Sequence, residues 1–220
     1  MNKLGVLENF QIKLDDNEIL RLLQNKQSDK DMKKPSEKMI KEIEEMKELA
    51  QPLIKPRGIF EIFESKNLKP KFLFKKSDIT VFAICTISKD LENLSKDYLK
   101  RGELAKGVIL DAIASQAAEQ TAEEVNQTIL NELSDTIQEK EVSCRFSPGY
   151  CQWELDKGQK QIFSLLDSEK IGVSLSTSMM MNPVKSVSFA INIGLEVDKE
   201  LGIRGCENCD MINCAYRRTK

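Results

Sequence analysis

Three groups of residues have types and spacings able to do chemistry. Arg145-Phe146-Ser147-Pro148-Gly149-Tyr150 is the first. Pro148 fixes one backbone dihedral and Gly149 permits positive φ, so the hexapeptide predicts a sharp turn holding Arg145 and Tyr150 in a defined relation. Arg145 can grip a carboxylate bidentately, a contact worth about 1.5 to 3 kcal/mol. The same residues also suit an ordinary turn in which Arg145 pairs with Glu119 or Glu141. Glu119 is the second group, a carboxylate within the alanine-rich stretch DAIASQAAEQTAEE; burying it there is expensive unless something partners it. In the third group, Cys206, Cys209 and Cys214 have the spacing C-x2-C-x4-C. A fourth thiolate from Cys144, Cys151 or Cys85 would complete an iron-sulfur cluster or zinc site. Cys144 and Cys151 flank the turn, either as packing residues or as redox partners.

What the chain lacks narrows the chemistry further. It has no histidine, which excludes Ser-His-Asp and Cys-His catalysis and any zinc site needing imidazole. Its 33 basic and 35 acidic residues leave a formal charge of -2, so no strong positive field points to a nucleic-acid partner. No apolar run reaches the roughly 20 residues of a membrane helix, and Met1 to Asp16 lacks the basic start and apolar core of a signal peptide. A cytoplasmic chain without a membrane partner is the expectation. Six cysteines, unevenly placed, do not form a secreted disulfide framework.

The elements that must position these groups divide the chain in three. Residues 1–55 read as a small helical region. Asp15 and Asp16 can cap a helix carrying Ile19, Leu20, Leu22 and Leu23, and Pro35-Ser36 opens a second with Met39, Ile40, Ile43, Met46, Leu49, Ala50 and Leu53 on one stripe. Gln24 to Lys34 reads as a polar linker. Residues 56–204 carry strand-like runs at Gly58 to Phe63, Lys71 to Phe74, Ile79 to Ile87, Val173 to Thr177 and Ser186 to Ile193. Between them the pattern predicts helices from Asp90 to about Lys100, from about Glu103 to Glu139 and from Leu155 to Glu169. Small residues Ala112, Ala114, Ala117, Ala118 and Ala122 suit a long central helix packed closely on a sheet. VFAICTISKDLENL, from Val81, is echoed by SFAINIGLEVDKEL, from Ser188, each reading as a strand entering an acidic helix start. The fold class expected is α+β. Residues 205–220 form a cysteine-containing tail.

Lys55-Pro56-Arg57-Gly58-Ile59, VFAICTIS, DAIASQAAEQTAEE, RFSPGY, Gln159-Lys160-Gln161-Ile162-Phe163-Ser164-Leu165-Leu166 and MMMNPVKSVSFAINIG follow one another in an order that resembles the activation domain of cobalamin-dependent methionine synthase. Stand-alone proteins built from that domain are the most similar. The resemblance implies a mainly antiparallel sheet with a long central helix, and a domain that binds S-adenosylmethionine and faces a corrinoid carried by a partner. That partner is a corrinoid methyltransferase, or a methionine synthase lacking its own activation domain. The same resemblance implies that a flavodoxin- or ferredoxin-like protein supplies one electron to oxidised cob(II)alamin and that methyl transfer from S-adenosylmethionine traps the reduced product. Such chemistry needs positioning more than acid-base help.

Carried over by motif, Arg145 matches the arginine that binds the ligand carboxylate, and Glu119 a glutamate near the same ligand, buried because it meets the ligand's positive charge. Tyr150, the residue assigned to catalysis, matches a tyrosine lying toward the corrin face. Phe146, Ser147 and Gly149 would help cradle the ligand, with Ser188 on the strand that contributes to the adenosyl pocket. That strand reads Phe189-Ala190-Ile191-Asn192, without the aromatic pair of the synthase-attached form. The first 55 residues fall outside the resemblance, and the cysteine tail departs from it. Two other roles remain open: a corrinoid-protein-binding regulatory module that has lost methyl-donor binding, and an iron-sulfur electron-transfer module.

Overall fold

The computed structural model describes residues 4–8, 10–24, 34–199 and 201. The chain begins with a strand, β1 (Leu4–Glu8), and two helices, α1 (Asp16–Leu23) and α2 (Glu37–Ala50). Asp15 caps α1 by accepting from the Asn17 and Glu18 backbone N–H groups at 2.9 and 3.4 Å, and Ser36 caps α2 by accepting from Met39 at 3.2 Å. There follow β2 (Arg57–Glu64), the one-turn helix α3 (Lys71–Phe74), β3 (Ile79–Thr86), α4 (Asp90–Lys100) and the 29-residue α5 (Leu104–Glu132). A short α6 (Ser134–Ile137) and β4 (Glu141–Val142) lead to α7 (Leu155–Leu165), the small hairpin β5 (Ser174–Leu175) and β6 (Met181–Asn182), and finally β7 (Ser186–Gly194).

An antiparallel sheet of order β1-β2-β3-β7-β4 organises these elements. Its strict alternation sorts the two faces. Phe60, Val81, Ala83, Cys85, Phe189 and Ile191 meet Ala122, Val125 and Ile129 of α5. Ile59, Phe82, Ile84 and Ala190 point the other way, against Phe74, Phe146, Trp153 and Ile162. The echoed Phe-Ala-Ile segments lie side by side on β3 and β7, with Phe82 opposite Ala190 and Ala83 opposite Phe189. Only the first echo continues into a helix; after β7 the chain turns at Leu195.

Several expectations need correction. Residues 71–74 form a helical turn, not a strand, for a topological reason: β1 and β7 already occupy the outer edges of β2 and β3. The helix expected to reach Glu139 breaks at Leu133, and that expected to reach Glu169 ends at Leu165, where Leu166 is extended. Residues 1–55 supply more than helices. Their strand β1 forms a sheet edge, and Ile19, Ile43, Met46 and Ala50 pack against Ile109, Ile113 and Ala117 of α5 in one core. Among the described residues no helix is long and apolar enough to cross a membrane.

Candidate functional site

Arg145 lies just beyond β4, where the chain continues along β7. The Ser143 N–H donates to Asn192 O at 2.9 Å, and Phe146 and Ala190 exchange two backbone bonds at 3.1 and 2.8 Å. This pairing turns Phe146 into the aromatic cluster and Arg145 toward α5. The guanidinium carbon sits 5.4 Å from the centre of the Phe189 ring, a cation-π contact worth about 0.5 to 2 kcal/mol. Arg145 Nη2 stands 3.5 Å from Glu119 Oε2, and its Nε 3.5 Å from Glu123 Oε2. Glu119 and Glu123, one turn apart on α5, face the same guanidinium.

Glu119 is therefore not the buried carboxylate expected: its side chain is 48% exposed, at the seam between α5 and the sheet edge. The neighbouring alanines, Ala117 and Ala118, take the buried face instead. The ion pair to Arg145 is the arrangement anticipated for an ordinary turn. Both contacts are at the long end of ion-pair geometry, and exposed pairs contribute only about 0 to 1 kcal/mol. One guanidinium and two carboxylates give the seam a formal charge of -1. Such a seam suits a ligand carrying a carboxylate for Arg145 and a surplus of positive charge for the glutamates.

Cys85 lies beneath this seam, wholly buried on β3. Burial pushes its thiol up to about 12; the Arg145 charge lowers it and the Glu119 charge raises it. This thiol packs in the core with Ala122, Val125 and Phe189. Its stability consequence has a definite sign. Above its ordinary value of 9.0 the unfolded chain releases the proton while the folded chain keeps it, so stability is lost as pH rises from 9 to about 12, by on the order of 4 kcal/mol for full ionisation. Cys85→Ala should flatten denaturant-derived stability over that range relative to wild type; parallel curves would contradict the burial argument.

The turn after Arg145 is sharp, as its sequence implies. Gly149 has φ of +91°, and Cys151 and Gln152 follow at +54° and +60°. The Gly149 N–H donates to Trp153 O at 2.7 Å and the Tyr150 N–H to Ser147 O at 3.1 Å. Tyr150 is 45% exposed at the tip. A Cβ on Gly158 would meet Pro148 Cβ at 2.7 Å and Trp153 Cε2 at 2.8 Å, so α7 seats the turn by backbone approach.

The structure brings Arg145 and Glu119 together but places two other candidates apart from them. Phe146 faces the opposite side of the sheet, with both its backbone groups engaged by Ala190. Ser188 shares that side and donates its hydroxyl to Gln159 Oε1 at 3.1 Å. Ser147, Gly149 and Tyr150 stay with the turn. Glu123 and Phe189 were missed; the four-residue spacing from Glu119 was the available signal for the former. Trp153 was missed as well. Cys206, Cys209 and Cys214 lie outside the described residues, among which no group of three or more Cys, Asp or Glu side chains could hold a metal.

Residues 6–198 match the family described as vitamin B12 dependent methionine synthase, activation domain. The match starts well before residue 56, taking in α1 and α2. A crystal structure of the MetH reactivation domain bound to AdoHcy superposes with a TM-score of 0.64 at 13% identity, over 89% of this chain and 80% of that one. At that identity the likeness speaks for the fold, an α+β sheet with a long helix.

Proposed function

The chain belongs to the activation-domain family of vitamin B12 dependent methionine synthase, and from that premise we propose that it binds S-adenosylmethionine and supports reductive methylation of an oxidised corrinoid held by a partner protein. A one-electron donor takes the partner's cob(II)alamin to cob(I)alamin; the cobalt(I) electron pair attacks the sulfonium methyl, giving methylcob(III)alamin and releasing S-adenosylhomocysteine. The partner is a corrinoid methyltransferase or a methionine synthase without its own activation domain.

The observation that carries this reading is the charged seam. S-Adenosylmethionine has a carboxylate, an ammonium and a sulfonium, one net positive charge, which complements one arginine and two glutamates. Arg145 would take the carboxylate, leaving Glu119 and Glu123 to the cationic centres, while Phe189 holds the guanidinium from beneath. Tyr150, exposed on the glycine turn, would lie toward the corrin. No group in this arrangement has to accept a proton. The AdoHcy in the related reactivation domain supports the same ligand class.

Glu119→Gln is the direct test of the charge argument. It should lower S-adenosylmethionine affinity about fivefold or more, a lost charge-assisted contact of about 1 kcal/mol or more. Apo stability should stay within about 0.5 kcal/mol, since the replaced pair is exposed. Unchanged affinity, measured by calorimetric titration, would remove Glu119 from the site.

A further inference from the structure

Lys55-Pro56-Arg57 leads into β2, and the proposed methyl-donor site makes no use of it. Glu8, Phe10, Ile54, Lys55, Pro56 and Arg57 line a cleft of about 390 Å³ where β1 ends beside the start of β2. That volume lies near the lower end of the roughly 300 to 1,000 Å³ typical of small-molecule sites. It suits a ligand of amino-acid size better than a nucleotide.

The charges of this cleft are held apart. Glu8 and Arg57 are direct cross-strand partners in the register of β1 with β2, and directly opposed residues of an antiparallel pair share one face of the sheet. An acid and an arginine so placed ordinarily close an ion pair worth about 0.2 to 1 kcal/mol. Here neither makes an ion pair or a side-chain hydrogen bond among the described residues. Arg57 is half-buried, and its Nη1 lies 3.8 Å from where a Cβ on Gly172 would stand, a neutral neighbour. Lys55, the third charge on the cleft, is held by Asp90, and its backbone N–H donates to Ile87 O at 3.1 Å. One carboxylate and one guanidinium are left uncommitted. The remaining wall is apolar and fixed: Phe10 packs on the core beneath α5, Ile54 on the core of α1 and α2, and Pro56 is buried.

We propose that this cleft binds a free α-amino acid with an apolar side chain. Its carboxylate pairs with Arg57, its ammonium with Glu8, and its side chain lies against Phe10, Ile54 and Pro56. A simple anion would be repelled by Glu8 and a simple cation by Arg57, whereas a zwitterion gives each a charge-assisted partner. The cleft lies at the β1 end of the sheet and the Arg145 seam beside β7, toward the other end. The two sites are separate, and the amino acid does not displace the methyl donor. The inference stands independently of the function proposed above.

The probe is L-methionine, the amino acid in the family's name, titrated calorimetrically into the full chain. Wild type should bind it at one saturable site. L-Serine, which lacks the apolar contact, should bind about tenfold or more weakly. N-Acetyl-L-methionine, without the ammonium, and L-methioninamide, without the carboxylate, should each bind about fivefold or more weakly. Glu8→Gln and Arg57→Gln should weaken L-methionine by a similar factor while keeping S-adenosylmethionine affinity, and Glu8→Gln, at an exposed position, should keep the wild-type melting temperature. Arg145→Ala should leave L-methionine affinity unchanged, which separates the cleft from the seam. No saturable binding of L-methionine by wild type overturns the proposal, as does binding indifferent to Glu8→Gln, or binding lost with Arg145→Ala. Failure of wild type to bind S-adenosylmethionine would count against the function proposed above, while the L-methionine titration would still decide the cleft.

Discussion

Arg145→Ala is expected to weaken S-adenosylmethionine binding about tenfold or more. A bidentate guanidinium-carboxylate contact contributes about 1.5 to 3 kcal/mol, and each 1.4 kcal/mol is a factor of ten in affinity. The geometry sharpens this expectation. In the free protein Arg145 makes two 3.5 Å contacts to Glu119 and Glu123, worth little individually, so a shorter bond to an incoming carboxylate replaces weak contacts with a strong one. Removing the arginine also leaves two carboxylates four residues apart on α5, an arrangement that destabilises by about 0.2 to 0.5 kcal/mol. The apo protein should thus lose modest stability while the ligand loses most of its anchor. Arg145→Lys keeps the charge without the planar fork and should recover only part of the affinity. Equal affinities for wild type and Arg145→Ala would remove Arg145 from the site.

The second large effect concerns Trp153, the only tryptophan in the chain. Its ring is 1% exposed and lies 5.7 to 6.1 Å from the rings of Phe74, Phe82 and Phe146. Trp153→Ala should cost about 3 to 5 kcal/mol, the usual price of truncating a large buried aromatic. Because the Trp153 ring and Pro148 of the turn pack side by side against α7 at Gly158, that variant should also bind S-adenosylmethionine poorly. Trp153→Phe separates packing from polarity. Trp153 Nε1 is a buried donor with no acceptor among the described residues, so replacing the indole removes an unsatisfied group worth about 1 to 3 kcal/mol and offsets part of the lost volume. Trp153→Phe should therefore melt much closer to wild type than Trp153→Ala. If both variants melt alike in thermal denaturation, the aromatic cluster is not what holds the turn.

Local signals carried much of the fold. Asp15 and Ser36 cap the helices they were expected to cap, and α4 has the bounds its pattern implies. The alanine positions bury against the core as their size suggests. Long-range pairing was the limit. Leu4 to Glu8 is short, contains Gly5 and leaves Leu4 and Val6 exposed, so nothing local marks it as a sheet edge until β2 offers it a partner. Lys71 to Phe74 fails in the opposite sense: its apolar residues resemble a strand, but the strands it connects, β2 and β3, are each already paired on both sides.

The site divides along the same line. RFSPGY announces a turn because proline and glycine act locally. Which side of the sheet each residue faces depends on the register of Phe146 with Ala190, a contact between distant segments. That register separates Ser188 and Phe146 from Arg145, and it brings Phe189 under the guanidinium. Glu119 stands out in sequence as a charge among alanines, yet its exposure follows from where α5 meets the sheet edge.

Calorimetric titration of the full chain with S-adenosylmethionine and, separately, with S-adenosylhomocysteine tests the central claim most directly. The two ligands differ by the sulfonium methyl and its charge, so a seam of formal charge -1 predicts one saturable site for each, with the sulfonium ligand bound more tightly and its advantage shrinking as salt is raised. Absence of saturable binding by S-adenosylmethionine would contradict the account.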